Sequence, residues 1–122
     1  MKTEILIIDD NPDIRFLMCN ILEENGYTIR SAANFEQATN EIETKLPDLA
    51  IVDIKLDKSD KDGIDLLKLL IGKNKSIPVI MISGHANVQV AVEAIRIGAY
   101  EFVEKPFSSE KLLNYVKRAI EV

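Results

Sequence analysis

Leu49-Ala50-Ile51-Val52-Asp53 is a run of four apolar residues ending on one carboxylate, and the polar run Lys55 to Asp62 follows it. The run is short, rich in branched side chains and bounded by polar breakers, which predicts a buried strand. A strand apolar on both faces belongs to a parallel sheet covered by helices on both sides. Ligands in such sheets bind beyond the carboxyl ends of the strands, and Asp53 stands at that end. A single Asp in this position is as a rule only a solvated surface residue, so the rest of the chain decides.

The same pattern recurs on both sides of this stretch. Glu4-Ile5-Leu6-Ile7-Ile8 reads as a first strand ending on Asp9-Asp10. Pro12 suits the first turn of a helix, and Asn11 or Asp10 can cap it. Ile14, Leu17, Met18, Ile21 and Leu22 recur at helical spacing as its core face, and Gly26 closes it. Tyr27 to Ser31 is a short second strand. Asn34 with Gln37 resembles a capping box for a second helix marked by Phe35, Ala38 and Ile42, which stops before Pro47. Asp60, Asp62 and Gly63 read as loop, and Ile64, Leu67, Leu70 and Ile71 as a third helix closed by Gly72. Pro78 to Ile82 is a fourth strand ending on Ser83-Gly84. Val88, Ala91, Val92 and Ile95 form the core stripe of a fourth helix that stops at Gly98. Tyr100 to Val103 is a fifth strand, followed by Lys105-Pro106. Ser108 caps a last helix with the stripe Leu112, Leu113, Val116 and Ile120. Five strands alternating with helices predict a doubly wound parallel sheet with right-handed crossovers.

Composition narrows the function. The chain has 122 residues, 47% hydrophobic and 29% charged, which is ordinary for one soluble domain with one core. A net charge of −5 argues against direct nucleic-acid binding by this domain. The one cysteine, Cys19, has no partner for an internal disulfide, so a reducing compartment, the cytoplasm, fits. No partner Cys or neighbouring base makes it a reactive thiol. The first strand starts at Glu4, which leaves no room for a signal peptide, and no apolar run approaches the roughly 20 residues of a membrane span. The last helical pattern runs to the chain's end, so a further domain can follow it.

The strand ends gather Asp9, Asp10, Asp53, Ser83 and Lys105 at one edge. Crowded carboxylates repel one another, and a hard divalent cation relieves this; Mg²⁺ favours a few carboxylates, water and a phosphate oxygen. One carboxylate can then act as a nucleophile toward phosphorus. Lys105 would neutralise charge on the phosphoryl oxygens, and Ser83 would hydrogen-bond one of them. Each residue alone is better explained as a solvated loop side chain; five at one edge are not.

With these residues in place, the chain resembles the receiver domain of two-component response regulators, with its CheY-like (flavodoxin-like) fold. The resemblance covers essentially all of residues 1–122 as a single domain. It rests on Asp9-Asp10, Asp53, Ser83 and Lys105-Pro106, and it implies a five-stranded sheet of order 2-1-3-4-5. It implies that Asp53 accepts a phosphoryl group from a histidine kinase or phosphotransfer protein. It implies Mg²⁺ held by Asp10, Asp53 and the Lys55 carbonyl, with Asp9 contributing through water. It also implies that Lys105 contacts the phosphoryl group through a side chain preceding a cis Pro106, and that Ser83 and Phe102 form the switch. Lys55 and His85 occupy positions that influence phosphoryl lifetime in the family. Ser83-Gly84-His85-Ala86-Asn87 and the run Gly98 to Phe107 resemble the NtrC/NtrX branch. So does the long loop from Asp53 to Gly63, which has Asp57 where receivers commonly have Pro. Regulators of that branch act in transcription through domains that follow the receiver.

The remaining features divide between surface and partner. Lys55, Asp57, Lys58, Asp60, Lys61 and Asp62 read as a solvated mixed-charge loop. The fourth helix carries a second apolar row, Val90, Ala94 and Ile97, beside its core stripe. A helix apolar on two sides is either unusually buried or covered by a partner, and the partner is the favoured reading here. With Arg96, Glu101, Lys117 and Arg118, this row predicts a phosphorylation-promoted homodimer face. Phe16 is a candidate kinase contact. The protein reads as a signalling module rather than a turnover enzyme. A degenerate receiver that binds partners without phosphorylation is disfavoured by the full set of pocket residues. A phosphatase with an aspartyl nucleophile commonly has a second Asp two residues on, where Lys55 stands. A nucleotide-binding domain lacks its glycine fingerprint, and Gly72-Lys73 has Leu67 where a P-loop needs Gly.

Overall fold

The computed structural model describes residues 3–56, 62–84 and 88–121. Among them the apolar runs form β1 (Glu4–Ile8), β2 (Thr28–Ala32), β3 (Leu49–Asp53), β4 (Val79–Ser83) and β5 (Glu101–Glu104). They alternate with α1 (Pro12–Glu24), α2 (Phe35–Thr44), α3 (Asp62–Lys73), α4 (Val88–Ile97) and α5 (Ser109–Glu121). The strands make one parallel sheet in the order β2-β1-β3-β4-β5. The predicted doubly wound order is the observed one.

Successive strand residues point to opposite faces, and the sheet therefore has two cores. Leu6, Ile8, Ala50, Val52, Val79 and Met81 pack with α2, α3 and α4 through residues such as Ala38, Ile42, Leu66, Leu67, Leu70 and Ala94. Ile5, Ile7, Leu49, Ile51, Ile80 and Ile82 pack with α1 and α5 through Met18, Leu22, Leu112 and Val116. Central strands buried on both faces are continuous apolar runs for this reason.

The ends of the helices follow local chemistry. Asn11 caps α1, its Oδ1 accepting from the N–H groups of Asp13 (2.9 Å) and Ile14 (3.2 Å). At the other end Gly26 has φ +90, and the bonds Tyr27 N to Leu22 O (3.2 Å) and Gly26 N to Glu23 O (3.1 Å) complete a Schellman motif that needs that left-handed residue. Asn34 Oδ1 accepts from Gln37 N at 2.8 Å, while Gln37 Oε1 reaches one residue past the cap, to the Ala33 N–H at 2.8 Å. At the sheet edge remote from the acids, Arg30 on β2 bonds Glu4 Oε1 (2.6 Å), the Glu41 carbonyl (3.0 Å) and the Lys45 carbonyl (2.6 Å). Burial pushes the Glu4 carboxyl up, but Lys45 and Arg30 outweigh it and the net shift is downward.

Several expectations need correction. On α4 the two apolar rows are exchanged. Ala94 is buried, with Val90 and Ile97 half-buried on the same core, whereas Val88 (78% exposed), Val92 (46%) and Ile95 (49%) face solvent. Both rows recur at helical spacing, so periodicity alone does not choose between them. The row centred on the small Ala94 lets the helix sit closer to the sheet. The helix ends with the Gly98 and Ala99 N–H groups both bonded to the Ala94 carbonyl, at 3.2 and 3.0 Å. Val90, Ala94 and Ile97 are therefore core rather than partner surface. On α1, Leu17 is 54% exposed beside the exposed Phe16, and Met18 and Leu22 make the buried contact. α3 begins at Asp62 and continues through Gly72 to Lys73, so Asp62 and Gly63 are helical rather than loop. On α5, Ala119 is buried, while Leu113 and Ile120 are half-buried. Asp57, Lys58, Asp60, Lys61 and His85-Ala86-Asn87 lie outside the described residues.

Candidate functional site

The register of β1 on β3 pairs Ile8 with Val52, so Asp9 and Asp53 stand side by side one step further along. Asp9 is fully buried and Asp53 is 4% exposed. The Asp9 N–H continues the sheet ladder to the Ala32 carbonyl at 3.2 Å, and its Oδ1 accepts the Asn11 N–H at 2.9 Å. Because Asn11 takes the capping role on α1, the exposed Asp10 carboxylate is left available to the site. One carboxylate oxygen from each of Asp9, Asp10 and Asp53 falls within a span of 4.8 Å.

β4 and β5 complete the edge. Asp53 pairs with Ile82, so Ser83 ends the neighbouring strand one step on, and Ser83 pairs with Glu104. The Lys105 N–H donates to the Ser83 carbonyl at 2.7 Å, and the Lys105–Pro106 bond is cis. The Lys105 ammonium lies 3.0 Å from Asp9 Oδ2 and donates to Asp53 Oδ2 at 3.2 Å. The Lys55 N–H donates to Asp53 Oδ1 at 3.3 Å. Phe102 is half-buried against the core beneath α3 and α4, opposite Met81 in the sheet.

The electrostatics follow from this packing. Burial pushes the Asp53 carboxyl up, the Asp9 charge beside it pushes the same way, and Lys105 only partly opposes them, leaving a pKa of about 6. Burial pulls the Lys105 ammonium down, but Asp9 and Asp53 outweigh it and raise its pKa. Asp9 Oδ2 is buried and accepts no hydrogen bond from the described residues, with the Lys105 ammonium at ion-pair distance, 3.0 Å. Among the described residues, three carboxylates face the Lys105 ammonium, with the Arg15 guanidinium held on the Asp9 carbonyl, so the carboxylates outnumber these cations. An orphaned carboxylate oxygen and an all-oxygen donor set fit a hard divalent cation of the Mg²⁺ type.

The chain thus brings together the Asp9, Asp10, Asp53 and Lys105 expected from the sequence, with Ser83 on the adjacent strand end. A family model described as the response regulator receiver domain matches residues 5–117. The chain belongs to this family.

In sequence it is similar to regulators of the NtrX and NtrC type. It is 45% identical over 121 residues to the nitrogen assimilation regulatory protein NtrX of Azorhizobium caulinodans, covering 99% of this chain and 27% of that protein. It is 37% identical over 121 residues to the C4-dicarboxylate transport transcriptional regulatory protein DctD of Pseudomonas aeruginosa, covering 99% of this chain and 26% of that protein. The chain therefore spans about a quarter of the length of these relatives. The crystal structure of the receiver domain of NtrX from Brucella abortus superposes with a TM-score of 0.89 at 42% identity, covering 97% of this chain and 98% of that one. A CheY-like receiver from Methanospirillum hungatei gives a TM-score of 0.93 at 30% identity, covering 99% of this chain and 95% of that one. The receiver contains, among its described residues, no helix long and apolar enough to cross a membrane.

Sequence reasoning missed one residue at the site. Arg15, one turn into α1, donates to the Asp9 carbonyl at 2.6 Å and so fixes the turn that carries the acid pair. No side-chain pattern in the sequence signals it, because its partner is a backbone carbonyl.

Proposed function

We propose that Asp53 is the phosphoacceptor of this receiver, and that it takes its phosphoryl group from a sensor histidine kinase or phosphotransfer protein in a Mg²⁺-dependent reaction. The observation that carries the reading is the buried Asp53 carboxylate facing one ammonium and two further carboxylates at the carboxyl edge of the sheet. With a pKa of about 6 the carboxyl is mostly ionised at neutral pH, as a nucleophile must be. A carboxylate oxygen of Asp53 forms a bond to phosphorus as the bond from phosphorus to the donor breaks, and the donor departs with that electron pair. Asp10, Asp53 and the Lys55 carbonyl would hold the Mg²⁺, with Asp9 contributing through water, and the ion would supply charge neutralisation. Lys105 neutralises a phosphoryl oxygen and Ser83 hydrogen-bonds another.

The added charge of roughly −1.5 to −2 draws the Ser83 loop toward Asp53, and Phe102 moves inward behind it. The output is a two-fold dimer through α4, β5 and α5. The exposed Val88, Val92 and Ile95 supply its apolar centre, and Arg96, Glu101, Lys117 and Arg118, on the same three elements, supply its charged contacts. The exposed Phe16 and Leu17 on α1 serve as a kinase contact. In this reading the domain is a cytoplasmic signalling module rather than a turnover enzyme, and it controls transcription through other parts of a longer protein.

Acetyl phosphate with Mg²⁺ tests the acceptor by intact-protein mass. One phosphoryl group should add to wild type and none to Asp53→Asn. Labelling of the Asn variant at the wild-type level would refute the assignment.

A further inference from the structure

The chain leaves the acceptor strand after Asp53 and returns to it at Gly63. The Gly63 N–H donates to the Ile54 carbonyl at 3.0 Å, so the first turn of α3 is docked backbone against backbone on the peptide that follows Asp53. No side chain fits there. A β-carbon on Gly63 would lie 2.3 Å from the Asp53 carbonyl oxygen, 2.5 Å from Ile54 Cα and 2.7 Å from the Ile54 carbonyl oxygen. All three atoms are backbone, so no change of rotamer relieves the overlap. To regain van der Waals separation, α3 or the Asp53–Ile54 peptide must move by roughly 1 Å.

Neither partner moves freely. Ile64, Leu66, Leu67 and Leu70 bury α3 in the core, and the Ile54 N–H is bonded to the Ile82 carbonyl at 2.9 Å. The displacement is therefore shared, and it reaches the acceptor peptide itself. We propose that Gly63 is a positioning residue of the acceptor site. Its missing side chain sets where the Asp53 carboxylate and the carbonyls after it stand relative to Asp9, Asp10 and Lys105. This inference rests on the reading of Asp53 as the phosphoacceptor and extends it to a residue that touches neither metal nor phosphoryl group.

Gly72, in the same helix, supplies the control. Among the described residues nothing lies within 4 Å of a β-carbon there, so Gly72→Ala gains helix propensity without touching the site. The experiment compares wild type, Gly72→Ala and the double variant Gly63→Ala/Gly72→Ala. Mg²⁺ affinity is measured by calorimetry, the phosphorylation rate with acetyl phosphate at saturating Mg²⁺, and folding by circular dichroism and melting. Gly72→Ala should melt higher than wild type and match it at the site. The double variant should fold cooperatively, yet bind Mg²⁺ about tenfold or more weakly, and phosphorylate about tenfold or more slowly even when the metal is saturating. A loss of stability alone leaves the folded fraction's metal affinity and saturated rate unchanged. A folded double variant within about twofold of Gly72→Ala on both measures overturns the proposal. A double variant that does not fold overturns it too, because Gly63 is then a determinant of the fold rather than of the site. Wild type that takes no phosphoryl group at all overturns the acceptor reading, and that is seen before any variant is compared.

Discussion

Replacing Asp53 by Asn should stabilise the domain, and by an amount that depends on pH. Asp53 is 4% exposed, and its carboxyl is raised from 3.8 to about 6 by burial first and the Asp9 charge second. Each unit of pKa corresponds to 1.36 kcal/mol, so keeping Asp53 ionised in the folded state costs on the order of 3 kcal/mol. Below the unfolded value of 3.8 both states are protonated and the term vanishes. Between 3.8 and about 6 the folded protein holds a proton that the unfolded chain has released, so stability falls as pH rises through this window. Above it the full penalty remains. Asn keeps the shape and removes the titration. With chelator present, urea unfolding at about pH 7.5 should show Asp53→Asn more stable by about 3 kcal/mol, equivalent to roughly 10 °C in melting temperature. The gain should shrink toward zero near pH 4. A variant less stable than wild type at neutral pH, or a gain that grows as pH falls, would refute the reasoning.

Mg²⁺ should stabilise the unphosphorylated domain by about 2.7 kcal/mol at a hundred times its dissociation constant, seen as a higher melting temperature; the gain should be smaller in Asp10→Asn, and equal gains would place the metal elsewhere. Lys105→Met removes the ammonium that holds the Asp53 carboxyl down, so the carboxyl signal followed by NMR should titrate above about 6; a lower value would contradict the ion pair. Beryllofluoride, standing in for the phosphoryl group, with Mg²⁺ should strengthen self-association in light scattering, and Ile95→Asp should abolish the induced dimer. Persistence of that dimer would remove the exposed α4 row from the interface.

The parts of this structure that were legible in the sequence are those set by one strong pattern. Each central strand is an unbroken apolar run ending on a polar residue, and that fixes both the strand and its carboxyl edge. Asp9, Asp53 and Lys105 were legible as neighbours because a parallel sheet leaves all such ends on one side. The face of α4 was not legible. Val88, Val92 and Ile95 match helical spacing as well as Val90, Ala94 and Ile97 do, so only the packing against the core distinguishes them. Leu17 was misplaced because α1 is apolar over more than the width it buries. Gly63 read as loop, since glycine after Asp is a turn signal, and its close approach to the Asp53 peptide involves a residue distant in sequence. Arg15 acts through a backbone carbonyl, which no side-chain pattern records.

The central claim is that Asp53 carries the phosphoryl group. An acyl phosphate, unlike a free carboxylate or a phosphorylated hydroxyl, is reduced by borohydride, which converts the aspartyl residue to homoserine. After treatment with acetyl phosphate and Mg²⁺, then borohydride and proteolysis, peptide sequencing by mass spectrometry should find homoserine at position 53, dependent on both reagents. Homoserine at Asp9 or Asp10 instead, or phosphorylated protein with no reducible aspartate, would contradict the account.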